Sequence, residues 1–509
     1  MDVSGHASGP WGRGLFEDPK ARSLSRVGVV DVGSNSVRLV VFDGAARSPA
    51  YFYNEKILCG LGADLRQTGK LSSTGRKRAM AALKRFQLVA KSMEIDPLIT
   101  IGTAALREAE DGDEFRKEIE QETGIQLWVI DGEEEARLSA QGVLLGWPEA
   151  EGVVCDIGGS SMELAILQDG RVGQRVTSPL APQVLATVKG GQKGRRAFIR
   201  DQLQVLKSRL PVRGRRVYLV GGSWRAIAKI DMARCDYPLR VQHEYRLKPK
   251  SIIETTKFIS SHSQAELCAM TGVSAGRMAL VPLAAEVIRP LIAMLSPKEI
   301  AISSYGIREG MLYEQMPDQL RVRDPLIEAC RFAEAKDARV PGFGRTLLQF
   351  VRPLFKASGP ARQRLIEAAC LLHDVSWRAH PDYRAEVCFD NVTRANLGGL
   401  THEERVFLGL ALLHRYKNSR ANSPYARLFE LLDEKDVRQA EVLGKAMRLG
   451  AMFSVEASEM EEALRWHPKK KKLEIRVLKP TAALFGEVAR SRFQSLCNTL
   501  EAEGTVRFR

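Results

Sequence analysis

Two stretches decide how this chain folds: VGVVDVGSNSVRLVVFD at residues 27–43 and GVVCDIGGSSMELAIL at residues 152–167. Each is an apolar, β-branched run that ends in an aspartate, passes through a Gly/Ser turn and resumes as a second apolar run. That pattern reads as strand, tight turn, strand. The two aspartates, Asp31 and Asp156, stand 125 positions apart, which suits one copy in each of two α/β lobes. Two such lobes facing each other enclose a cleft with a glycine turn projecting from either wall.

Outward from the hairpins, apolar residues at helical spacing predict a helix over 72–92, a strand near 98–102 and a helix opening around Asp113. LWVI at 127–130 reads as a strand and EEEARLSAQGVLL at 133–145 as a helix. Beyond the second hairpin, VYLVGG at 217–222 is a strand running into a helix from Ser223, and EIAISSYGIREGML at 299–312 is a last strand and helix. The alternation puts this part of the chain in the α/β class. After QMPDQLRVRDP at 315–325 strand-like runs become scarce, and stretches such as RQRLIEAACLLHDV and ERVFLGLALLHRY predict helices. WHPKKKKLEIRVL at 466–478 reads as a basic turn and a strand in a small terminal unit. The expected order is a loose tail at 1–25, lobe I at 26–140, lobe II at 141–320, a helical domain at 321–445 and a small α+β domain at 446–509.

Bulk properties narrow the function. At 509 residues the chain exceeds what one hydrophobic core serves. Its 44% hydrophobic and 27% charged content is that of an ordinary globular protein, and no uninterrupted apolar run approaches the roughly 18–20 residues of a membrane span. The N-terminus has no apolar core of a secretory signal. None of the eight cysteines falls in a CxxC pair, so reduced cytosolic thiols are expected. The net charge of +15 favours a polyanionic partner, and 189–216 alone carries ten Lys/Arg against Asp201. A generally basic solvated surface is the plainer alternative.

Gly33-Ser34-Asn35-Ser36 and Gly158-Gly159-Ser160-Ser161 present successive backbone N–H groups with little side-chain obstruction, as an anion nest does. A single such turn would serve backbone geometry alone; two copies, each led by an aspartate, point to phosphate. Asp31, Asp156 and Glu163 are then candidates for holding Mg²⁺, because hard cations bind carboxylates and phosphates together. DGEEEARL at 131–138 puts three acids at a helix start, where the helix dipole accounts for two and a cleft-lining base for the third. No GxxxxGK[ST] occurs, which excludes a P-loop enzyme. His373-Asp374 is similar to the His-Asp pair of metal-dependent phosphohydrolases, but no histidine lies between His262 and His373 to supply the upstream ligand.

Taken together, these motifs resemble the exopolyphosphatase/guanosine pentaphosphate phosphohydrolase family, within the actin-like ATPase superfamily. VDVGSNSVRLVV looks like the family's first phosphate motif and CDIGGSSMEL like its second; GTAALRE at 102–108, VGGSWRAIA at 220–228 and SSYGIREGML match further segments in order. The resemblance implies two actin-like lobes, an HD-like helical domain and a small terminal domain. It implies Arg107 as a phosphate-binding residue and Glu135 as the catalytic base, with Mg²⁺, or Mn²⁺ in its place, as cofactor. The implied reaction is release of orthophosphate from the ends of inorganic polyphosphate in the cytoplasm by a homodimer. Hydrolysis of guanosine pentaphosphate to tetraphosphate is the alternative within the class. A kinase of the superfamily, and a non-catalytic nucleotide- or nucleic-acid-binding regulator, are the other readings; membrane insertion and a nucleic-acid partner are not expected. Two positions depart from the pattern. Ser160 replaces a glycine of the second motif, and Trp224 stands where a smaller residue is usual, as if to plug a nucleoside pocket and favour polyphosphate.

Overall fold

The computed structural model describes residues 26–43, 47, 48, 50–95, 97–453 and 463–508; the tail expected at 1–25 lies outside them. The chain forms two compact units, Met1–Arg323 and Asp324–Arg509.

The first unit contains the same sheet twice. Strands β1 (Val27–Val32), β2 (Ser36–Phe42), β3 (Tyr51–Leu58), β4 (Leu98–Gly102) and β5 (Leu127–Val129) pair in the order β3-β2-β1-β4-β5. Strands β6 (Gly152–Ile157), β7 (Met162–Gln168), β8 (Arg171–Ser178), β9 (Val217–Val220), β10 (Arg246–Leu247) and β11 (Ile300–Ile302) pair in the order β10-β11-β9-β6-β7-β8. In each, a three-stranded antiparallel meander begins at the hairpin and the first strand also pairs in parallel with a later one, β1 with β4 and β6 with β9.

Strand alternation decides what each residue faces. On β1, Val30 and Val32 join a core with helix Ser73–Ser92, while Val27 and Val29 turn the other way. On β6, Val153, Cys155 and Ile157 join the outer core of the second lobe, while Val154 turns inward. The inward residues share one core with helices Gly132–Gly146 and Ile307–Glu314, so two helices lie between two sheets. These helices meet backbone to backbone: a Cβ on Gly310 would lie 1.8 Å from the Leu138 carbonyl oxygen, and one on Gly142 2.1 Å from that of Gly306. By the same parity Asp31 and Asp156, at the ends of β1 and β6, point inward from opposite walls.

Residues 275–295 are apolar enough in length and composition to cross a membrane, although Arg277, Glu286 and Arg289 interrupt them. Here Met278, Val281, Ala284, Val287, Ile288 and Leu291 fill the outer core of the second lobe.

The second unit starts where Asp324 caps helix Pro325–Asp337, accepting from the Leu326 N–H at 2.9 Å. Further helices include Pro360–Leu372, Arg384–Arg394, His402–Tyr416 and Glu434–Gly450. Strands β12 (Leu464–His467), β13 (Lys472–Val477) and β14 (Glu503–Phe508) form a small sheet, with helix Glu487–Leu500 bridging the parallel pair β13–β14. Leu464, Leu473, Ile475, Phe493 and Leu496 belong to the same core as Leu347, Leu408 and Leu443. The division expected near 446 therefore does not coincide with a change of core: the sheet is too small to bury its apolar face alone and uses the helices to do so.

Candidate active site

The two hairpin turns meet. Ser34 Oγ and Ser160 Oγ lie 2.9 Å apart. Each turn is closed the same way, by Gly33 N–H to Ser36 C=O at 3.0 Å and by Gly158 N–H to Ser161 C=O at 2.9 Å. Gly33, Gly158 and Gly159 do not have positive φ, so the turns do not need glycine for backbone conformation. Lack of a side chain leaves the remaining N–H groups open to the cleft, as an anion nest requires. Ser160, the departure in the second motif, contributes the hydroxyl that reaches Ser34.

A cleft of about 630 Å³ opens beside this contact, lined by both turns and by Asp31, Asp156 and Glu135. Glu135 is the third acid at the start of helix Gly132–Gly146. Glu133 is exposed, and Glu134 is bound to Arg137 at 2.7 Å, which leaves Glu135 as the member facing inward. Its buried Oε2 has no hydrogen-bond partner, with Arg107 Nη1 3.6 Å away. Burial pushes the Glu135 carboxyl up to about 8; Arg107 pulls it back, and Asp156 and Asp31 add to the rise.

Asp156 and Glu163 are direct cross-strand partners on β6 and β7, so their side chains share a sheet face. Both carboxyls are raised by burial; the Ser139 hydroxyl, which donates to Asp156 Oδ2, and Arg225 pull Asp156 back. Glu163 does not line the cleft. It accepts from Thr177 Oγ1 at 3.2 Å and from Ser161, behind Asp156. Asp31, also raised by burial, has Arg308 Nη1 3.5 Å from Oδ2 and Arg38 as its cross-strand partner.

Among the described residues no three acids, histidines or cysteines form a ready metal cage. A Mg²⁺ ion needs none, since it usually keeps several waters and takes one or two carboxylates with substrate phosphates. Asp156 on the cleft wall, with Asp31 and Glu135 near it, fits that requirement.

Arg107 is not among the residues lining the cleft: its Nη1 donates to the Ile130 carbonyl at 2.7 Å, beside Glu135. The lining cations are Arg38, Lys56, Arg225, Arg277 and Arg308, none of which the sequence reading picked out. They crowd one another. Lys56 is pushed down to about 8 and Arg38 to about 10, by burial first and by neighbouring arginines next; burial also depresses Arg225 and Arg277. Only Arg308 is held up against burial, by Glu309 and Asp31. The cleft thus has an acidic end at the turns and a cationic end beyond, where Glu309 is the acid that acts on Arg38, Arg225 and Arg308.

The turn Gly221-Gly222 makes room for both ends. Gly221 has φ +107° and a Cβ there would sit 2.9 Å from Asp156 Oδ1, while one on Gly222 would fall 1.5 Å from Arg277 Nη1. Trp224 does not plug a pocket. It is fully buried in the outer core of the second lobe, and the next residue, Arg225, is the one that faces the cleft. A contiguous pocket of about 370 Å³ shares Arg38, Lys56, Arg225 and Arg277 and adds Asn54, Lys229 and Gln242. No aromatic ring lines it among the described residues.

In the second unit, Asp374 is gripped by Arg339 at 2.6 and 2.8 Å, and His373 Nδ1 bonds the Cys370 carbonyl at 2.8 Å.

Comparison with known proteins gives two family matches. Residues 40–319 match the Ppx/GppA phosphatase family, and residues 326–503 match the exopolyphosphatase C-terminal family. Exopolyphosphatase 1 of Mycobacterium tuberculosis (strain ATCC 25618 / H37Rv) is 26% identical over 312 residues, spanning 58% of this chain and 89% of the relative. Exopolyphosphatase 1 of Mycobacterium leprae (strain TN) is 26% identical over 307 residues, spanning 58% and 90%. The crystal structure of an exopolyphosphatase from Cytophaga hutchinsonii ATCC 33406 superposes with a TM-score of 0.53 at 24% identity, covering 57% of this chain and 97% of that one.

Proposed function

Because the chain belongs to the Ppx/GppA phosphatase family, we propose that its cleft removes the terminal phosphate from inorganic polyphosphate. One observation carries the choice of substrate: the cationic pocket beyond the acidic end offers arginines and lysines but no ring on which a base could stack. A phosphate chain needs only cations spaced along it. A nucleoside gains most of its grip from an apolar or aromatic wall.

In this reading the terminal phosphate lies between the turns 33–36 and 158–161, whose N–H groups take its oxygens. Arg308, Arg225, Arg277, Arg38 and Lys56 hold the following phosphates. Asp156 would hold Mg²⁺, or Mn²⁺, with Asp31 and Glu163 deepening the negative field; the ion supplies neutralisation of charge on the phosphate oxygens. Glu135 takes a proton from water as its oxygen bonds to phosphorus and the bridging P–O bond breaks. The shortened chain leaves with the bridging oxygen, and orthophosphate is released. A base whose pKa lies near the working pH combines availability with driving force. Arg107 keeps Glu135 in position and favours its ionised form. Positioning and charge neutralisation supply most of the rate in such transfers.

Guanosine pentaphosphate carries the same terminal bond, and the amides of Asn54 and Gln242 in the second pocket favour it as a second substrate. The helical unit is read as HD-like and the assembly as a homodimer. All eight cysteines are free, which suits a reducing cytoplasm. Incubation with Mg²⁺ and long-chain polyphosphate, and separately with guanosine pentaphosphate, tests the proposal. Orthophosphate should appear faster from polyphosphate; release from neither would refute it.

A further inference from the structure

Residues 303–306, between β11 and helix Ile307–Glu314, belong to neither strand nor helix, yet two arginines of the cationic wall depend on them. The Ser304 carbonyl accepts from Arg225 Nη1 at 3.2 Å, and Arg308 follows as the second residue of the helix. Gly306 lies against the acidic end of the cleft: a Cβ there would sit 3.8 Å from Asp156 Oδ2. The placement of this segment therefore sets how the wall stands relative to Asp156.

Arg308 has little else to fix it. Its Nη1 is 3.5 Å from Asp31 Oδ2, too long for a strong hydrogen bond, and its buried Nε has no hydrogen-bond partner among the described residues. The next residue is held firmly. Glu309 is 1% exposed and both its carboxylate oxygens accept, Oε2 from the Gly306 N–H at 2.7 Å and Oε1 from the Tyr51 hydroxyl at 2.5 Å. Tyr51 opens β3, the edge strand of the first lobe, and its ring centroid is 5.6 Å from that of Phe42. One bond thus fixes the end of the segment, and the other ties that end to the opposite lobe. Burial of the phenol first and Glu309 next push Tyr51 well above its usual range, which keeps it a donor. Neither residue lines the cleft. By charge alone Glu309 works against phosphate binding, since it offsets part of the field of Arg38, Arg225 and Arg308. What it contributes instead is two charge-assisted hydrogen bonds.

We propose that Tyr51 and Glu309 form a latch across the two lobes, a pair of positioning residues that keeps Arg225 and Arg308 in register with Asp156 for the phosphates behind the terminal one. The latch rests on the phosphate-holding cleft of the proposed function and names what sets its wall.

Steady-state kinetics of the full chain with tripolyphosphate and Mg²⁺ tests it. Tyr51→Phe removes one hydroxyl, leaves the charges in place, and should raise KM about fivefold with kcat kept within about twofold. Glu309→Ala should raise KM at least about tenfold, whereas deleting an acid beside a cationic wall would by charge alone lower it. Glu309→Gln should have a lower KM than Glu309→Ala: its amide accepts from Gly306 and donates to the Tyr51 oxygen, so both bonds persist without the charge. An unchanged KM or a loss confined to kcat in Tyr51→Phe, a lowered KM in Glu309→Ala, or a Gln variant no better than the Ala one overturns the latch. If Glu309→Ala does not fold, Tyr51→Phe decides. Hydrogen exchange of the Gly306 amide, read without substrate, separates the latch from the reaction. A wild type that releases no orthophosphate refutes the substrate reading, and the latch is then overturned if Tyr51→Phe leaves that exchange rate unchanged and upheld if it quickens.

Discussion

The hairpin of the first lobe and the hairpin of the second share topology, turn length and closing hydrogen bond, yet they differ in charge at one cross-strand position. Asp31 faces Arg38 across β1–β2, whereas Asp156 faces Glu163 across β6–β7. The first pair sets opposite charges across the hairpin, and the first lobe adds Lys56 from β3 to the cationic wall. The second pair doubles a negative charge in a buried place, where burial raises both carboxyls. On the proposed reading a duplicated element is divided between the two needs of a phosphate enzyme: one copy would offer positive charge to the polymer, the other negative charge to a cation. Between them stands Glu135, which belongs to neither hairpin.

Removing that shared residue should have the largest effect. Glu135→Gln is expected to lower kcat by about 10²–10⁴-fold with little change in KM; steady-state rates retaining more than half of wild type would remove the base from its proposed role. Next come the aspartates themselves. Asp156→Asn should cost about 100-fold in activity and shift the Mg²⁺ concentration for half-maximal rate upward, while Asp31→Asn should cost about tenfold with that concentration unchanged. Identical metal titrations for the two variants would erase the distinction between the hairpins.

Arg38→Gln belongs to the polymer side and should raise KM about tenfold, with kcat nearly constant, since one charge-assisted phosphate contact is worth about 1.5–3 kcal/mol in isolation and less in a crowd of cations. A fall in kcat alone would move Arg38 to the chemical step. The smallest effect is a pH dependence. Lys56, at about 8, is charged below that value and neutral above it, so KM for polyphosphate should rise a few-fold as pH passes upward through about 8. Bound phosphates shift the inflection higher, and Lys56→Met should flatten it. A KM profile unchanged by that substitution would exclude Lys56 from the polymer wall.

Much of this was legible in the sequence because it is local. The hairpins announce themselves through β-branched runs ending in Asp, and Glu135 through its place in a helix start whose other acids have evident duties. Even Arg38 and Glu163 could have been paired with their aspartates by counting outward from the turns, since Gly33 closing on Ser36 forces 31 opposite 38. Arg225, Arg277 and Arg308 could not be found so, because three separate segments of the second lobe bring them together and no spacing encodes their meeting. Trp224 shows the cost of a one-residue offset. On a helix adjacent residues point about 100° apart, so the eye-catching tryptophan fills the core while its plain neighbour reaches the cleft wall. The terminal sheet was visible as an element, but its core partners were not, since packing across distant segments leaves no local pattern.

The contact between Ser34 and Ser160 sets a direction of travel. Two hydroxyls within hydrogen-bonding distance bar the way between the turns at that point, so on the proposed reading a chain comes to them from the cationic side. An interior linkage of a long polymer has chain on both sides and cannot be threaded to the far wall; a terminus can. On that reading the site meets a chain end, and each turnover would present it with a new end of the same kind.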